Sequence, residues 1–296
     1  MKKQIKLSRE DKTFGFIVYL ITTLVLLVIA YPVIYVISAS FSSPAAVTTG
    51  KVVFLPVDFG LDGYKAVFQN KDILTGYLNT IYYTVLGTLI NVAVTLCAAY
   101  PMSRRDFPAR RRFAFFFTFT MLFSGGMIPT YMVVKELGLL DTTWALVLPG
   151  AISVYNLTVT RSFLESSIPH EMLEAAQIDG CSDFQYFFRF VLPLSKAVIA
   201  VITLFYAVSH WNSYFNALLY INTRERYPLQ LFLREILVNN KVDAAVMDEG
   251  IMNAKQGLAD LLKYSLIVVS TLPIMCIYPF IQKYFVQGVM IGSVKG

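Results

Sequence analysis

Charged side chains are scarce in this chain. Only 15% of its 296 residues are Asp, Glu, Lys or Arg, against about 25% in an average soluble domain. Cysteine is scarcer still. Cys97, Cys181 and Cys276 are odd in number and scattered, which argues against a disulfide framework or a metal-type spacing. They read as buried or reduced thiols. The only histidines, His170 and His210, are too few and too far apart in sequence to suggest a metal cluster. HExxH and Gly-x-Ser-x-Gly are missing, and Gly125-Gly126 lacks the Gly-Lys-Ser/Thr that completes a phosphate-cradling loop. No repeat or low-complexity tract is present. The chain therefore carries no machinery of its own for hydrolysing a nucleotide or a substrate.

Apolar residues are abundant: 56% of the chain, gathered into long runs. A run of about 18 or more marks a membrane-spanning helix. Six such runs occur, at roughly 14–38, 79–102, 113–134, 144–163, 197–221 and 264–286, and the Gly and Pro inside several of them are tolerated within a helix bundle. The basic start and the small Ser38-Ala39-Ser40 have some flavour of a signal peptide. The first run, however, is about 24 residues long, beyond a signal core of about 7–15, so it is expected to stay as the first span.

The net charge of +6 could point to nucleic acid, but its distribution points to a membrane. Lys2, Lys3, Lys6, Arg9 and Lys12 precede the first span, and Arg104, Arg105, Arg110, Arg111 and Arg112 fill the connection after the second. Lys and Arg accumulate in cytoplasmic loops, so both segments are assigned to the inside. The 164–196 loop follows two spans later and is inside as well, as are both termini. The expected location is the cytoplasmic membrane, crossed several times.

Within the six runs there is no Asp or Glu. Arg161 lies near the inner end of the fourth, where it can snorkel, and His210 is the one mid-span ionisable group. Ion-coupled carriers need intramembrane carboxylates or their equivalents, so a stand-alone carrier is disfavoured. Outside the runs, residues 39–77 form a turn-rich outer loop. Residues 222–263 form a longer one with balanced charge, in which Pro228 opens an amphipathic stretch, LQLFLREILV. That loop is either a solvated linker or an outer docking surface.

The 164–196 loop is acidic rather than basic. Pro169 can start a helix, Glu171 and Glu174 suit its positive end, and Leu173, Ala176 and Gln177 fall on one face. Gly180 then turns the chain without steric cost. A second short helix is expected at about 182–190, with Pro193 breaking the chain before the fifth span. A slim helix bounded by a bend fits a groove on another protein; it also fits an amphipathic connector lying on the membrane.

Glu174-Ala175-Ala176, three residues, Gly180, nine residues, then Phe190-Val191-Leu192-Pro193 resembles the EAA loop of ATP-binding-cassette importer permeases. That loop usually reads E-A-A-x3-G-x9-I-x-L-P, and Phe190 stands where isoleucine is usual. The resemblance covers roughly residues 74–296, which would form the permease domain, with 1–73 as an N-terminal segment, first span and outer loop. The ending, from Gln282-Lys283-Tyr284 to Gly292-Ser293-Val294-Lys295-Gly296, is similar to the MalG-type subunit of carbohydrate importers. His210-Trp211-Asn212-Ser213-Tyr214 and Ile128-Pro129-Thr130-Tyr131 look like the branch that handles oligosaccharides from polysaccharides such as alginate or pectin.

The resemblance implies an all-α membrane protein of the type I importer fold: six spans and a cytoplasmic coupling helix at 171–193. It implies a non-catalytic subunit that binds no cofactor itself, with ATP and Mg held by two partner ATPases. A second, MalF-like permease would complete the pathway and an extracytoplasmic binding protein would deliver the sugar. Glu174, Ala175, Ala176, Gly180, Leu192 and Pro193 would belong to the ATPase contact, joined by Lys295 and Gly296 in the tail. The same machinery would also serve a non-sugar solute such as peptides or phosphate, with this chain as a homodimer, and the MalG-like ending argues against that. Sugar pockets pair aromatic faces with hydrogen-bonding side chains. Asn79, Tyr82, Asn156, His210, Trp211, Asn212 and Tyr214 are the pathway candidates, beside Tyr83, Asn91, Tyr155, Tyr206 and Asn216. Each is equally at home as helix glue or as an interfacial anchor.

Overall fold

The computed structural model describes residues 8–239 and 249–293. Lys295 and Gly296, expected in the coupling tail, lie outside the described residues. Every regular element among the described residues is helical. In chain order these are α1 (Arg9–Ser40), α2 (Pro44–Thr48), α3 (Asp62–Gln69), α4 (Lys71–Ser103), α5 (Arg110–Leu122), α6 (Met127–Glu136), α7 (Thr143–Val147) and α8 (Val154–Ser167). They continue with α9 (His170–Ile178), α10 (Asp183–Tyr186), a π-turn (Phe187–Val191), α11 (Leu192–Leu194), α12 (Lys196–Trp211), α13 (Phe215–Tyr220), α14 (Leu229–Asn239) and α15 (Glu249–Ser293).

Helices α1 and α4 and the Ala259–Pro279 part of α15 are each long and apolar enough to cross a membrane alone. The runs at 14–38, 79–102 and 264–286 fall on these three. The other runs are not single straight helices. Helices α5 and α6 meet at 114°, because Ser124-Gly125-Gly126 interrupts the apolar run and Gly126 takes a positive φ of 87°. The run at 144–163 is split into α7 and α8 around Pro149-Gly150, where proline removes a backbone donor. Helix α12 stops at Trp211 and the chain resumes as α13. The break before α12 falls at Ser195, with an 80° bend, whereas Pro193 is accommodated in the first turn of α11.

The chain divides into two compact units. One comprises Met1–Asn70 with Glu235–Thr271. In it, α1 is apolar all round and buries only its last turn, Ser38, Ala39 and Ser40. Ser38 Oγ donates to Phe54 O at 2.7 Å, Ser40 Oγ meets Tyr64 OH at 2.8 Å, and Ala39 packs with Ala46, Val47, Val52 and Leu261. The other unit comprises Lys71–Arg234 with Leu272–Gly296.

In this second unit α4 is the axis against which α8 and α12 pack. Lipid is as apolar as leucine, so helices in a bilayer associate through close packing and shared hydrogen bonds, not through burial from water. The buried stripe of α4 follows that rule. Gly76, Thr80, Tyr83, Gly87, Asn91, Thr95 and Ala99 recur every three or four residues, a small and polar seam on a helix whose other faces are apolar. The three cysteines are free thiols; Cys97 and Cys276 are exposed rather than buried, and Cys181 is partly buried.

The N-terminal end of α4 is clamped to the segment after α13. Asn79 Nδ2 donates to Glu225 O at 2.7 Å and to Tyr227 O at 3.1 Å, and Tyr83 OH donates to Arg226 O at 2.9 Å. Leu229 N donates to Thr80 Oγ1 at 2.8 Å, which secures the start of α14, the amphipathic stretch read after Pro228. Asp141 completes the clamp from the α6–α7 turn. Its Oδ1 accepts from Asn222 N and Thr223 N, both at 3.0 Å, and its Oδ2 from the Thr223 hydroxyl. The Thr223 hydroxyl, then the backbone donors, hold this carboxyl below the usual aspartate range.

A depressed pKa makes the carboxylate a source of stability that is complete above about pH 4 and lost as pH falls through the lower folded value. Asp141→Asn is therefore expected to cost about 1–2 kcal/mol near neutrality, the lower part of the range for hydrogen bonds to a charged group. Thermal melts of the purified protein in detergent at pH 7 and pH 3.5 check it. The gap between wild type and variant should shrink at the lower pH.

Candidate functional site

Two places in the second unit bring the sequence-derived candidates together. The first is a cavity of about 340 Å3 beside α4, lined by residues that include Asn91, Ser153, Tyr155, Asn156, Tyr206 and His210. By helical rise Asn91 lies about 30 Å from the Asp72 level and about 20 Å from the Arg104 level, which places the cavity well inside the bilayer. One wall is the unwound segment 148–153 between α7 and α8. Unwound backbone at membrane depth needs internal hydrogen-bond partners, and two side chains supply them. Asn91 Nδ2 donates to Gly150 O at 3.3 Å, and Ser153 N donates to Tyr206 OH at 3.0 Å. Tyr206 OH in turn meets Thr95 Oγ1 at 2.7 Å, locking α12 to α4.

Helix α8 restarts on the cavity wall, where Ser153 Oγ accepts from Asn156 N at 3.4 Å as its N-cap. The positive end of its dipole thus lies at the cavity. Asn91 Nδ2 also meets His210 Nε2 at 3.2 Å. An amide nitrogen donates, so Nε2 accepts and the imidazole proton sits on Nδ1. Asn91 Oδ1 accepts no hydrogen bond among the described residues. Among the described residues no Asp, Glu, Lys or Arg lines the cavity; its polar groups are amides, hydroxyls, backbone and one imidazole, set among tyrosine and phenylalanine rings.

Of the pathway candidates, Asn156 and His210 line this cavity, with Asn91, Tyr155, Tyr206 and Asn216. The rest lie elsewhere. Asn79 belongs to the clamp. Tyr82 is more than half exposed beside Tyr83. Trp211 is buried, edge-on to Tyr77 with centroids 5.7 Å apart. Asn212 Nδ2 donates to Val208 O at the end of α12, and Tyr214 is exposed beside Phe215. Gly87, Gly150 and Ser153 were not singled out from sequence; the Pro149-Gly150 pair inside an apolar run was the available signal.

The second place is the surface formed by α9 and the π-turn. Pro169 sits at the N-cap position of α9. Gly180, at φ +75°, closes the helix: Gly180 N donates to Gln177 O at 3.0 Å and Cys181 N to Ala176 O at 2.9 Å, the paired bonds of a Schellman motif. Leu173 and Ala176 are buried with Ala99, Met102, Leu157, Leu164, Tyr186 and Val191. Gln177, expected on the same face, is exposed. Glu174, Ala175, Ile178 and Gly180 point away from the chain, and Phe184 and Phe188 are exposed beside them. Of the EAA-type residues, Ala176 therefore anchors the segment, while Glu174, Ala175 and Gly180 remain available to a partner. Leu192 is half-buried and Pro193 exposed.

Arg104, just past α4, ion-pairs with both Asp106 and Asp183, tying the α4–α5 connection to the start of α10. The guanidinium beside Asp106 keeps that carboxyl below the usual range. Sequence reading placed Arg104 and Asp183 in two inner loops without pairing them.

Comparison with known proteins follows the same architecture. No family model matches the chain. It is 42% identical over 290 residues, 97% of its length and all of the relative's, to the polygalacturonan/rhamnogalacturonan transport system permease protein YtcP of Bacillus subtilis. It is 45% identical over 267 residues, 90% of its length and 89% of the relative's, to protein LplC of the same organism. At 27% identity over 293 residues it is similar to the maltodextrin transport system permease protein MdxG, covering 94% of this chain and 95% of that one. Among solved structures, it superposes with a TM-score of 0.86 at 35% identity on a chain of a bacterial ABC transporter involved in the import of the acidic polysaccharide alginate. That match covers 95% of this chain and all of the other.

Gly87 faces the His210 ring, and a Cβ there would stand 2.4 Å from Nε2. Gly87→Ala is expected to push His210 off Asn91 and to cost about 1–3 kcal/mol by overpacking. Most of that loss should disappear when His210→Ala is added. Thermal unfolding of the two single variants and the double variant measures the coupling; additive losses would show that the ring is not what Gly87 accommodates.

Proposed function

Because the chain belongs to the permeases of ATP-binding-cassette importers, an integral membrane family, we propose that it lines one side of an oligosaccharide pathway and receives its motive force through the α9 segment. The observation that carries this reading is the division of α9 into two faces. Leu173 and Ala176 are fixed into the body of the second unit, and Glu174, Ala175 and Ile178 are left outward. A rigidly anchored helix with an uncovered outer face transmits a push.

In this reading the α9 end of α4 is cytoplasmic and both termini lie inside, as the arginine distribution requires. Two ATPase subunits bind and hydrolyse ATP with Mg and close on α9. A MalF-like second permease completes the pathway, and an extracytoplasmic binding protein delivers cargo near the opposite end, where the Asp141 clamp holds the connections firm. The chain itself is non-catalytic and holds no cofactor. The spans then switch the 340 Å3 cavity between the two sides by alternating access.

The cargo we infer is an oligosaccharide of the acidic kind released from pectin- or alginate-like polysaccharides. The named relatives support this, and so does the cavity. Its amides and hydroxyls suit sugar hydroxyls, its rings suit the apolar faces of a pyranose, and no fixed carboxylate repels a uronate. The start of α8 offers that uronate a positive dipole end.

Gly180 is exposed, and a Cβ added there meets no atom within 4 Å. The left-handed backbone at this position adds a cost of about 1–2 kcal/mol for any side chain. Gly180→Trp and Glu174→Lys are both expected to abolish transport in reconstituted vesicles and to uncouple or release the ATPase while the subunit still inserts. Transport at wild-type rate in either variant would remove α9 from the coupling path. The cargo is read separately, from which oligosaccharide raises ATP hydrolysis by the complete complex.

A further inference from the structure

A second cavity, of about 550 Å3, lies at the other end of α4 from the Asp141 clamp. Arg104, Arg105, Arg110, Arg111 and Arg161 line it, against the carboxylates of Glu165 and Glu171. Arg104 is taken by Asp106 and Asp183, and Arg161 by Glu165 at 2.9 Å. Among the described residues, Arg105, Arg110 and Arg111 have no carboxylate within ion-pairing distance. Three guanidiniums around one concavity repel each other unless an anion sits between them. Helix α5 begins here with no side chain capping its first turn, which adds the positive end of a helix dipole.

The neighbouring surface narrows the choice of anion. Leu96 and Cys97 lie one to two turns before Tyr100 and Arg104 and on the same side of α4. They line a separate space of about 420 Å3 with Leu89, Val92, Phe188 and Ile199. That space is predominantly apolar, with Thr88 and Thr203 its only hydroxyl-bearing side chains among the described residues, and Cys97 is about 10 Å from the Arg104 level along the helix. A cationic hollow at the foot of a span, with a hydrocarbon-lined groove above it on the same helix, matches a molecule with an anionic head and an apolar chain.

We propose that Arg105, Arg110 and Arg111 hold the phosphate headgroup of an anionic phospholipid, with an acyl chain running along the α4 groove. Ile168, Pro169, His170 and Leu173 close the same cavity, so the headgroup also braces the base of α9. The lipid is then a structural element of the coupling end of the subunit and makes its behaviour depend on membrane composition.

The test uses the complete transporter complex, reconstituted in nanodiscs of phosphatidylcholine mixed with phosphatidylglycerol and then exchanged into detergent. Lipid retained per complex is counted by mass spectrometry. Wild type is expected to keep phosphatidylglycerol in clear excess over its bulk share. The triple variant Arg105→Gln, Arg110→Gln, Arg111→Gln should lose about tenfold or more of that preference, on the order expected for three arginines near an anionic lipid surface. Arg112→Gln, in the same basic run but outside the cavity lining, should leave it unchanged. Substitution of the three arginines by lysine should retain most of it, and Arg105→Gln alone should lower it if the triple variant fails to insert. Undiminished preference in the triple variant overturns the site. Equal loss in Arg112→Gln reduces it to diffuse surface attraction and overturns it too. Displacement of phosphatidylglycerol by inorganic phosphate or a short oligouronate would show that the arginines serve a free anion instead.

Discussion

A helix interrupted inside a bilayer leaves peptide groups that lipid cannot satisfy, and the second unit is organised around one such interruption. Segment 148–153 holds its unwound shape through Asn91 from α4 and Tyr206 from α12. Both side chains are themselves constrained, Asn91 by His210 and Tyr206 by Thr95. Removing the interruption would extend α7 into α8 and fill the space the cavity occupies. The small residues of α4 follow from the same need, because Gly87 lets the His210 ring come close enough to reach Asn91.

The two ends of α4 differ in construction. At the Asp141 end, backbone groups of residues 222–229 are caught by side chains of α4 and of the α6–α7 turn, beside the ion pairs Arg224–Asp72 and Arg226–Asp141. Such a net, directed at peptide groups, changes little unless the backbone moves. At the Arg104 end the links are ion pairs between side chains, Arg104 with Asp106 and Asp183 and Arg161 with Glu165, which can exchange partners without refolding. On the proposed reading, the firm end would serve as a platform for delivery and the adjustable end would receive the force.

Much of this was legible from residue order. The membrane class, the apolar runs, the turn at Gly180, the helix after Pro228 and the EAA-type spacing all depend on local chemistry or on position along the chain. The breaks within the third and fourth runs were not legible to a reading that counts apolar residues, because glycine and proline are tolerated in membrane helices and hydropathy does not show where tolerance ends. Residue type alone also could not sort Asn79 from Asn91. Both are asparagines on the buried stripe of α4, and only their partners show that one secures a peptide segment while the other faces a cavity. Gln177 illustrates the same limit: it shares helical phase with Leu173, but the body of the unit ends before reaching it.

The π-turn at Phe187–Val191 gives the motif spacing a geometric meaning. Each residue of an α-helix advances the phase by about 100°, and a π-turn accommodates one residue more than an α-turn. Between Gly180 and Pro193 the chain therefore counts rotation as well as distance. One residue fewer would turn Tyr186 by roughly a quarter turn relative to Val191, two of the residues against which Leu173 and Ala176 pack. The interval separating the glycine from the Leu-Pro pair acts as the setting of a dial that decides which face of α9 is turned outward.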